Sequence, residues 1–163
     1  MIVADTSALV SLTAADTLDL LLEEFDVHTT ETVIKELEDL ASYGDKTAEH
    51  AQQVLGRKER TTIREVDTLE YQSSRVDEGE GSCIQLTRDI AADFLITDDL
   101  RALPELQTLT ETRIAISPIV LKALVERGVL ARGEALERLD DAAEERDWLE
   151  APIYRRARGL FDE

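Results

Sequence analysis

Cysteine is all but missing from this sequence of 163 residues. Cys83 stands alone, which excludes a disulfide within the chain and any cysteine-based zinc site. It sits in an apolar helical pattern and reads as core packing, a habit free cysteine shares with small hydrophobes. Long apolar runs are missing too. None approaches the ~20 residues that cross a bilayer as a helix. The N-terminus lacks the basic flank and extended apolar segment of a secretory leader, so a cytoplasmic protein with no membrane partner is expected. No linker, internal repeat or low-complexity stretch divides the chain. The expectation is a single domain over residues 1–163, large enough for a proper core.

Basic residues are scarce as well. Eighteen Lys and Arg face 36 Asp and Glu, a formal net charge of −18, and only Lys35, Lys46, Lys58 and Lys122 are lysines. The acids are spread over expected helix faces rather than gathered in a tail. Self-repulsion of that size destabilises a compact chain at low ionic strength, and salt relieves it. The reading is a salt-adapted, halophilic protein; the competing one is an acidic surface for a partner.

What the chain does have is an alternation of short apolar strands and helical patterns. Ile2-Val3-Ala4 is a β-type run that ends on Asp5, followed by Thr6 and Ser7. Helical spacing from Ser7 to Leu22, broken near Ala15-Asp16, leads to a second strand at Phe25-Asp26-Val27-His28. Thr29 or Thr30 caps a helix over Thr32–Tyr43, and another spans Thr47–Leu55. A third strand is expected at Thr61–Val66, then an irregular stretch from Asp67 to Glu80 and a helix from Ser82. Phe94–Thr97 forms the fourth strand, Leu100–Leu106 a helix interrupted near Pro104, and Arg113–Ile116 the fifth strand. Ser117-Pro118 opens a helix with proline in its first position. Helices follow at about Ile119–Arg127 and Gly133–Glu145, and a last short one holds Ile153, Tyr154 and Leu160. Such alternation calls for an α/β fold: a three-layer α/β/α sandwich around a doubly wound, mainly parallel five-stranded sheet.

In such sheets ligands gather outside the carboxyl ends of the strands. Asp5 follows the first strand there, and Asp98-Asp99 follows the fourth. Adjacent strands lie ~4.8 Å apart, so these acids are neighbours if the two strands pair. Glu80 precedes the helix that leads into the fourth strand, and Glu36 enters from the helix after the second. Carboxylates ~4 Å apart repel by roughly 4 kcal/mol per pair at an effective dielectric of about 20. Retained protons or a divalent cation make such a cluster tolerable, and all-oxygen donors suit Mg²⁺ or Mn²⁺.

The pattern resembles the PIN domain family of metal-dependent ribonucleases, which includes the VapC-type toxins. The resembling residues are Ile2-Val-Ala-Asp5-Thr-Ser-Ala-Leu9, Val33-Ile-Lys-Glu36-Leu37, Gly79-Glu80 leading into Ile84-Gln-Leu86, and Leu95-Ile-Thr97-Asp98-Asp99. The resemblance implies hydrolysis of RNA phosphodiester bonds by an endoribonuclease with one or two Mg²⁺ or Mn²⁺ ions. Carried over, the catalytic acids are Asp5, Glu36, Glu80 and Asp99. The metal ligands are the same four with Asp98, since either of the paired aspartates fits the fourth position. Thr6 and Ser7 are the hydroxyls expected to line the substrate site. Implied partners are RNA, a cognate antitoxin protein covering the cleft if the chain is a toxin, and a second copy in a homodimer. Many members are basic around the cleft, and this chain is not.

Each acid also has an ordinary role open to it. Asp5 and Asp99 can cap helices, Glu36 can sit on a solvated helix border, and Asp77 and Glu78 can decorate a loop. His28 at a strand end and His50 on a helix surface are expected to have no catalytic part, and Trp148 and Tyr154 to pack the last helices. Arg155-Arg156-x-Arg158, with Arg57, Lys58 and Arg60, reads as a solvated set that could also meet phosphates. A receiver domain, which expects paired acids near the first strand and a lysine after the fifth, does not fit: Asp5 is alone and no lysine follows Ile116 until Lys122. A haloacid-dehalogenase phosphatase is excluded by Ser7, where Asp-x-Asp needs an acid. The rival is a non-catalytic PIN-like module that binds RNA or a protein partner. Salt adaptation has a direct readout: the melting temperature should rise markedly from low to molar salt, and a flat profile would count against it.

Overall fold

The computed structural model describes residues 1–67 and 75–162. Five short strands, β1 (Ile2–Ala4), β2 (Val27–Thr30), β3 (Thr62–Arg64), β4 (Phe94–Ile96) and β5 (Arg113–Ala115), form one parallel sheet in the order β3-β2-β1-β4-β5. β1 is central and pairs on both sides, Ile2 with Val27 and Phe94, Val3 with His28 and Leu95. It is buried throughout, which is why it reads as an unbroken apolar run. β3 at one edge alternates toward solvent.

Among the described residues the helices are α1 (Thr6–Ala14), α2 (Leu18–Glu24), α3 (Glu31–Ala41), α4 (Lys46–Leu55), α5 (Glu78–Ile90), α6 (Leu103–Leu109), α7 (Pro118–Glu126), α8 (Arg132–Glu145) and α9 (Pro152–Gly159). They cover both faces of the sheet. Val3 and Leu95, in register, join the main core with Leu9, Leu37, Ile84 and Leu121. Ile2 and Ile96 join a second, smaller cluster with Ala8, packed by Phe94, Ala115 and Ile119. Successive side chains of a strand point to opposite faces, so a five-strand parallel sheet with two cores is the three-layer sandwich expected. From β1 the chain moves to β2 on one side and later returns to β4 on the other. That reversal is the topological switch point where open α/β sheets leave a crevice.

Several boundaries differ from the pattern-based reading. β2 runs on through Thr29 and Thr30 because both pair with β3, and Thr30 then caps α3 by accepting the Val33 N–H at 3.1 Å. The helix expected from Ser82 begins at Glu78. Asp77 accepts the Glu80 N–H at 2.8 Å, and the Glu80 carboxylate reaches back to the Asp77 N–H at 3.3 Å, a capping box. Gly79 and Gly81 argued for a loop, at about 1 kcal/mol each against helix, but burial of that turn and its cap outweigh them. The rest of the irregular stretch, at 68–74, lies outside the described residues. Pro104 does not interrupt a helix; it stands in the first turn of α6, which therefore starts at Leu103 rather than Leu100. Cys83 is buried, as is Trp148. His50 is not on a surface: it is buried between α4 and α8, with Nε2 at 2.8 Å from Glu145 Oε2.

Candidate active site

Asp5 leaves β1 with its own N–H still on the Ile96 carbonyl at 3.2 Å, so the first and fourth strands are zipped together up to the acid. Its side chain is almost entirely buried, at 4 % exposure. Oδ1 accepts the Ala8 N–H at 2.9 Å and the Ser7 hydroxyl at 2.8 Å, and Oδ2 accepts the Thr97 hydroxyl. Asp5 is thus the N-cap of α1 and a candidate site residue at once. Burial pushes its carboxyl up to about 7 against the pull of those three donors, and the charge of Asp98 adds to the rise.

Glu36 projects from the second turn of α3 and is half-buried, with Oε1 accepting the Thr6 hydroxyl at 3.1 Å. Burial, then the charges of Asp77, Asp5 and Glu78, raise it to about 7, opposed by the Thr6 hydrogen bond. The first turn of α5 comes very close: a Cβ on Gly79 would stand 2.6 Å from Glu36 Cδ, so only glycine leaves the carboxylate its place. Glu80, one residue on, is buried. Its carboxyl is raised first by that burial, then by a hydrogen bond shared with Asp99 and by the charge of Asp77.

The adjacent aspartates do different things. Asp98 is committed to the start of α7, Oδ1 accepting the Ser117 N–H and Oδ2 the Ser117 hydroxyl, both at 2.7 Å. Ser117 therefore spends its hydroxyl on Asp98 instead of capping its own helix. Asp99 uses Oδ1 for the N–H groups of Arg101 at 3.0 Å and Ala102 at 3.2 Å, and also meets Glu80. One cavity of about 420 Å³ is lined by Asp5, Glu36, Glu80, Asp98 and Asp99, with Thr6 and Ser7 on its wall.

The family model DUF3368, a PIN domain, matches residues 1–163, the whole chain. The chain belongs to the PIN domain family. None of the curated proteins matches it. PIN domains are generally nucleases and generally use divalent metals.

In this PIN domain Thr6 and Ser7 stand on the cavity wall, and their hydroxyl protons go to Glu36 and Asp5. Ser7 Oγ also accepts the Asp98 N–H at 3.0 Å. Asp77, read as loop decoration, lines the cavity as well, and its signal was the Asp77-x-x-Glu80 spacing of a capping box. Thr47, Arg146 and Trp148 line it too, beside the apolar Val10 and Leu40, and nothing in the local sequence of these five announces it. His28, with Nε2 at 3.0 Å from Asp26, and His50 do not line it. Arg57 and Arg60 both pair with Asp19 at 2.7 Å, and Arg158 lies 3.9 Å from Asp140. A larger cavity of about 970 Å³, near Thr87, Thr110 and Glu111, contains none of the expected acids.

The donor set fits a hard divalent cation in kind: carboxylates and hydroxyls, with burial and mutual repulsion keeping protons where a cation would otherwise serve. Among the described residues no three of the acids stand close enough to ligate one ion as placed, so binding requires their carboxylates to turn inward.

Two outcomes follow from this geometry. The folded state holds protons on Asp5 and Glu36 up to about 7, whereas unfolded carboxyls release them near 3.8 and 4.5. These groups therefore make metal-free stability fall as pH rises through that window. Melting in EDTA should be lower at about pH 8 than at about pH 5, Mn²⁺ should restore it mainly at the higher pH, and Asp5→Asn should flatten the profile. A metal-free melting temperature that climbs over this range and ignores Mn²⁺ contradicts the account. Gly79→Ala should keep its helical circular dichroism but push the Glu36 carboxylate aside, and most of the Mn²⁺-dependent gain in melting temperature should go with it.

Proposed function

We propose that this PIN domain is a Mg²⁺- or Mn²⁺-dependent endoribonuclease that hydrolyses RNA phosphodiester bonds. The observation that carries the reading is the convergence of Asp5, Glu36, Glu80 and Asp99, from four separate elements, on one cavity at the strand ends. These four are the proposed cation-holding and catalytic acids. Asp98 is assigned instead to holding α7 against the site, because Ser117 occupies both its oxygens. A divalent ion bound there would acidify a water and offset charge on the phosphate oxygens.

The chain's own residues supply the rest. Three donors hold Asp5 in one orientation, and Thr6 aims Glu36. Glu80, held protonated by its burial, can return a proton to the departing oxygen once a neighbouring carboxylate has taken one from the attacking water. RNA approaching a chain of net charge −18 depends on bound cation, local arginines and screening by salt. A cytoplasmic setting, a homodimer and, if the chain is a toxin, an antitoxin covering the acidic cleft belong to the same proposal.

The second reading, a non-catalytic module that binds RNA or a protein, is favoured by one feature: all the donors around Asp5 already satisfy its oxygens. Metal titration with and without turnover separates the two. For the nuclease, Asp5→Asn and Asp99→Asn should each lower Mn²⁺-dependent RNA cleavage by at least about a hundredfold, the scale for losing even an outer-shell metal partner. Asp98→Asn should chiefly lower the melting temperature. Undiminished cleavage by Asp5→Asn excludes the assignment.

A further inference from the structure

Among the described residues lining the acidic cavity, one carries a positive charge: Arg146. It is the residue that ends α8, its N–H closing the helix on the Ala142 carbonyl at 2.8 Å. Asp147 then turns the chain in the left-handed region, at φ 58°. Trp148 follows, buried against the helix with its N–H on the Ala143 carbonyl at 2.7 Å. One residue before Arg146, Glu145 is paired to the buried His50 of α4. The arginine therefore stands on a pinned helix end, not on a loose tail.

Its side chain lacks what such a position should provide. Nε is buried and meets no hydrogen-bond acceptor among the described residues. Buried donors are almost always paired, and an orphan calls for a reason. Neutralising Asp98 is not a sufficient one. Both oxygens of that aspartate are taken by Ser117, and Arg146 is the smallest of the influences on it. A guanidinium that lines a cavity of acids and still has an unused donor suits a ligand that brings its own negative oxygens.

We propose that Arg146 is the substrate-positioning residue of this site, gripping a non-bridging oxygen of the RNA phosphodiester and so turning the scissile bond toward the carboxylates. The inference rests on the reading of the cavity as an RNA site. Without a cation the acids repel a phosphodiester, and Arg146 is the group on the wall that attracts it. The arginines of α9 lie outside the cavity and do not replace it.

The test uses the full chain and a fluorescein-labelled single-stranded RNA oligonucleotide in EDTA, where nothing is cut, with affinity followed by anisotropy over a salt series. Arg146→Gln should weaken binding about tenfold and reduce the slope of log affinity against log salt by ~0.7, the loss of one phosphate contact on a single strand. Arg146→Lys should keep the slope and recover part of the affinity, because the charge remains without the fork of donors. A second measurement needs no variant. The oligonucleotide should protect Arg146 of the wild-type protein from phenylglyoxal, read by peptide mapping.

An unchanged affinity and slope in Arg146→Gln overturns the proposal, as does modification of Arg146 at the same rate with and without RNA. A wild-type chain that fails to bind the oligonucleotide, or binds poly-glutamate through Arg146 instead, overturns it too. Arg146-dependent RNA binding without Mn²⁺-dependent cleavage leaves this inference standing and removes the nuclease. Cleavage lost in Asp5→Asn, with binding indifferent to Arg146, does the reverse.

Discussion

The structure depends on one electrostatic constraint: several carboxylates are buried together at the junction of β1 and β4. Ionising a buried acid costs several kcal/mol even after the surroundings relax, while each hydrogen bond to a charged group returns about 1.5–3 kcal/mol. Asp5 has three such donors and is still pushed up to about 7, so burial outweighs them. The remaining deficit is what a proton or a metal ion can fill.

Hydroxyl groups hold this arrangement together. Thr6 orients Glu36, Ser7 joins Asp5 to the backbone of Asp98, Thr97 reaches Asp5 from β4, and Ser117 fastens Asp98. Thr30 and Ser82, buried and 2.7 Å apart, lock the start of α3 to α5 beneath the acids. A hydroxyl fixes a carboxylate without neutralising it, whereas a lysine or arginine in its place would form an ion pair and quench the site. Orientation and charge are thereby kept separate. Glycine completes the device at position 79, where the missing Cβ lets α5 approach Glu36.

Much of this was legible along the chain, for identifiable reasons. Parallel strands buried on both faces leave continuous apolar runs, so β1 and β4 and the acids that follow them stood out. At the start of α5 two local rules conflict, the glycines favouring a loop and the Asp77-x-x-Glu80 cap a helix, and burial decides between them. His50 looked solvated because a helix of mixed polarity hides which face its partner covers, and the partner, Glu145, is 95 residues away. Asp98 and Asp99 could not be told apart, since the difference lies in Ser117, on the far side of β5 in the sequence.

The sequence by itself determined the kind of fold, the succession of short buried strands and the presence of acids where strands end, because periodicity and capping are local and act over a few residues. Only the tertiary structure decided which of those acids share a cavity, which one is tied off by a serine, and that an arginine from the end of α8 joins them. Electrostatics is long-ranged in space and blind to chain order. A charge's role is therefore set by what burial brings beside it, and that is known only once the sheet order and the helices packed on it are in place.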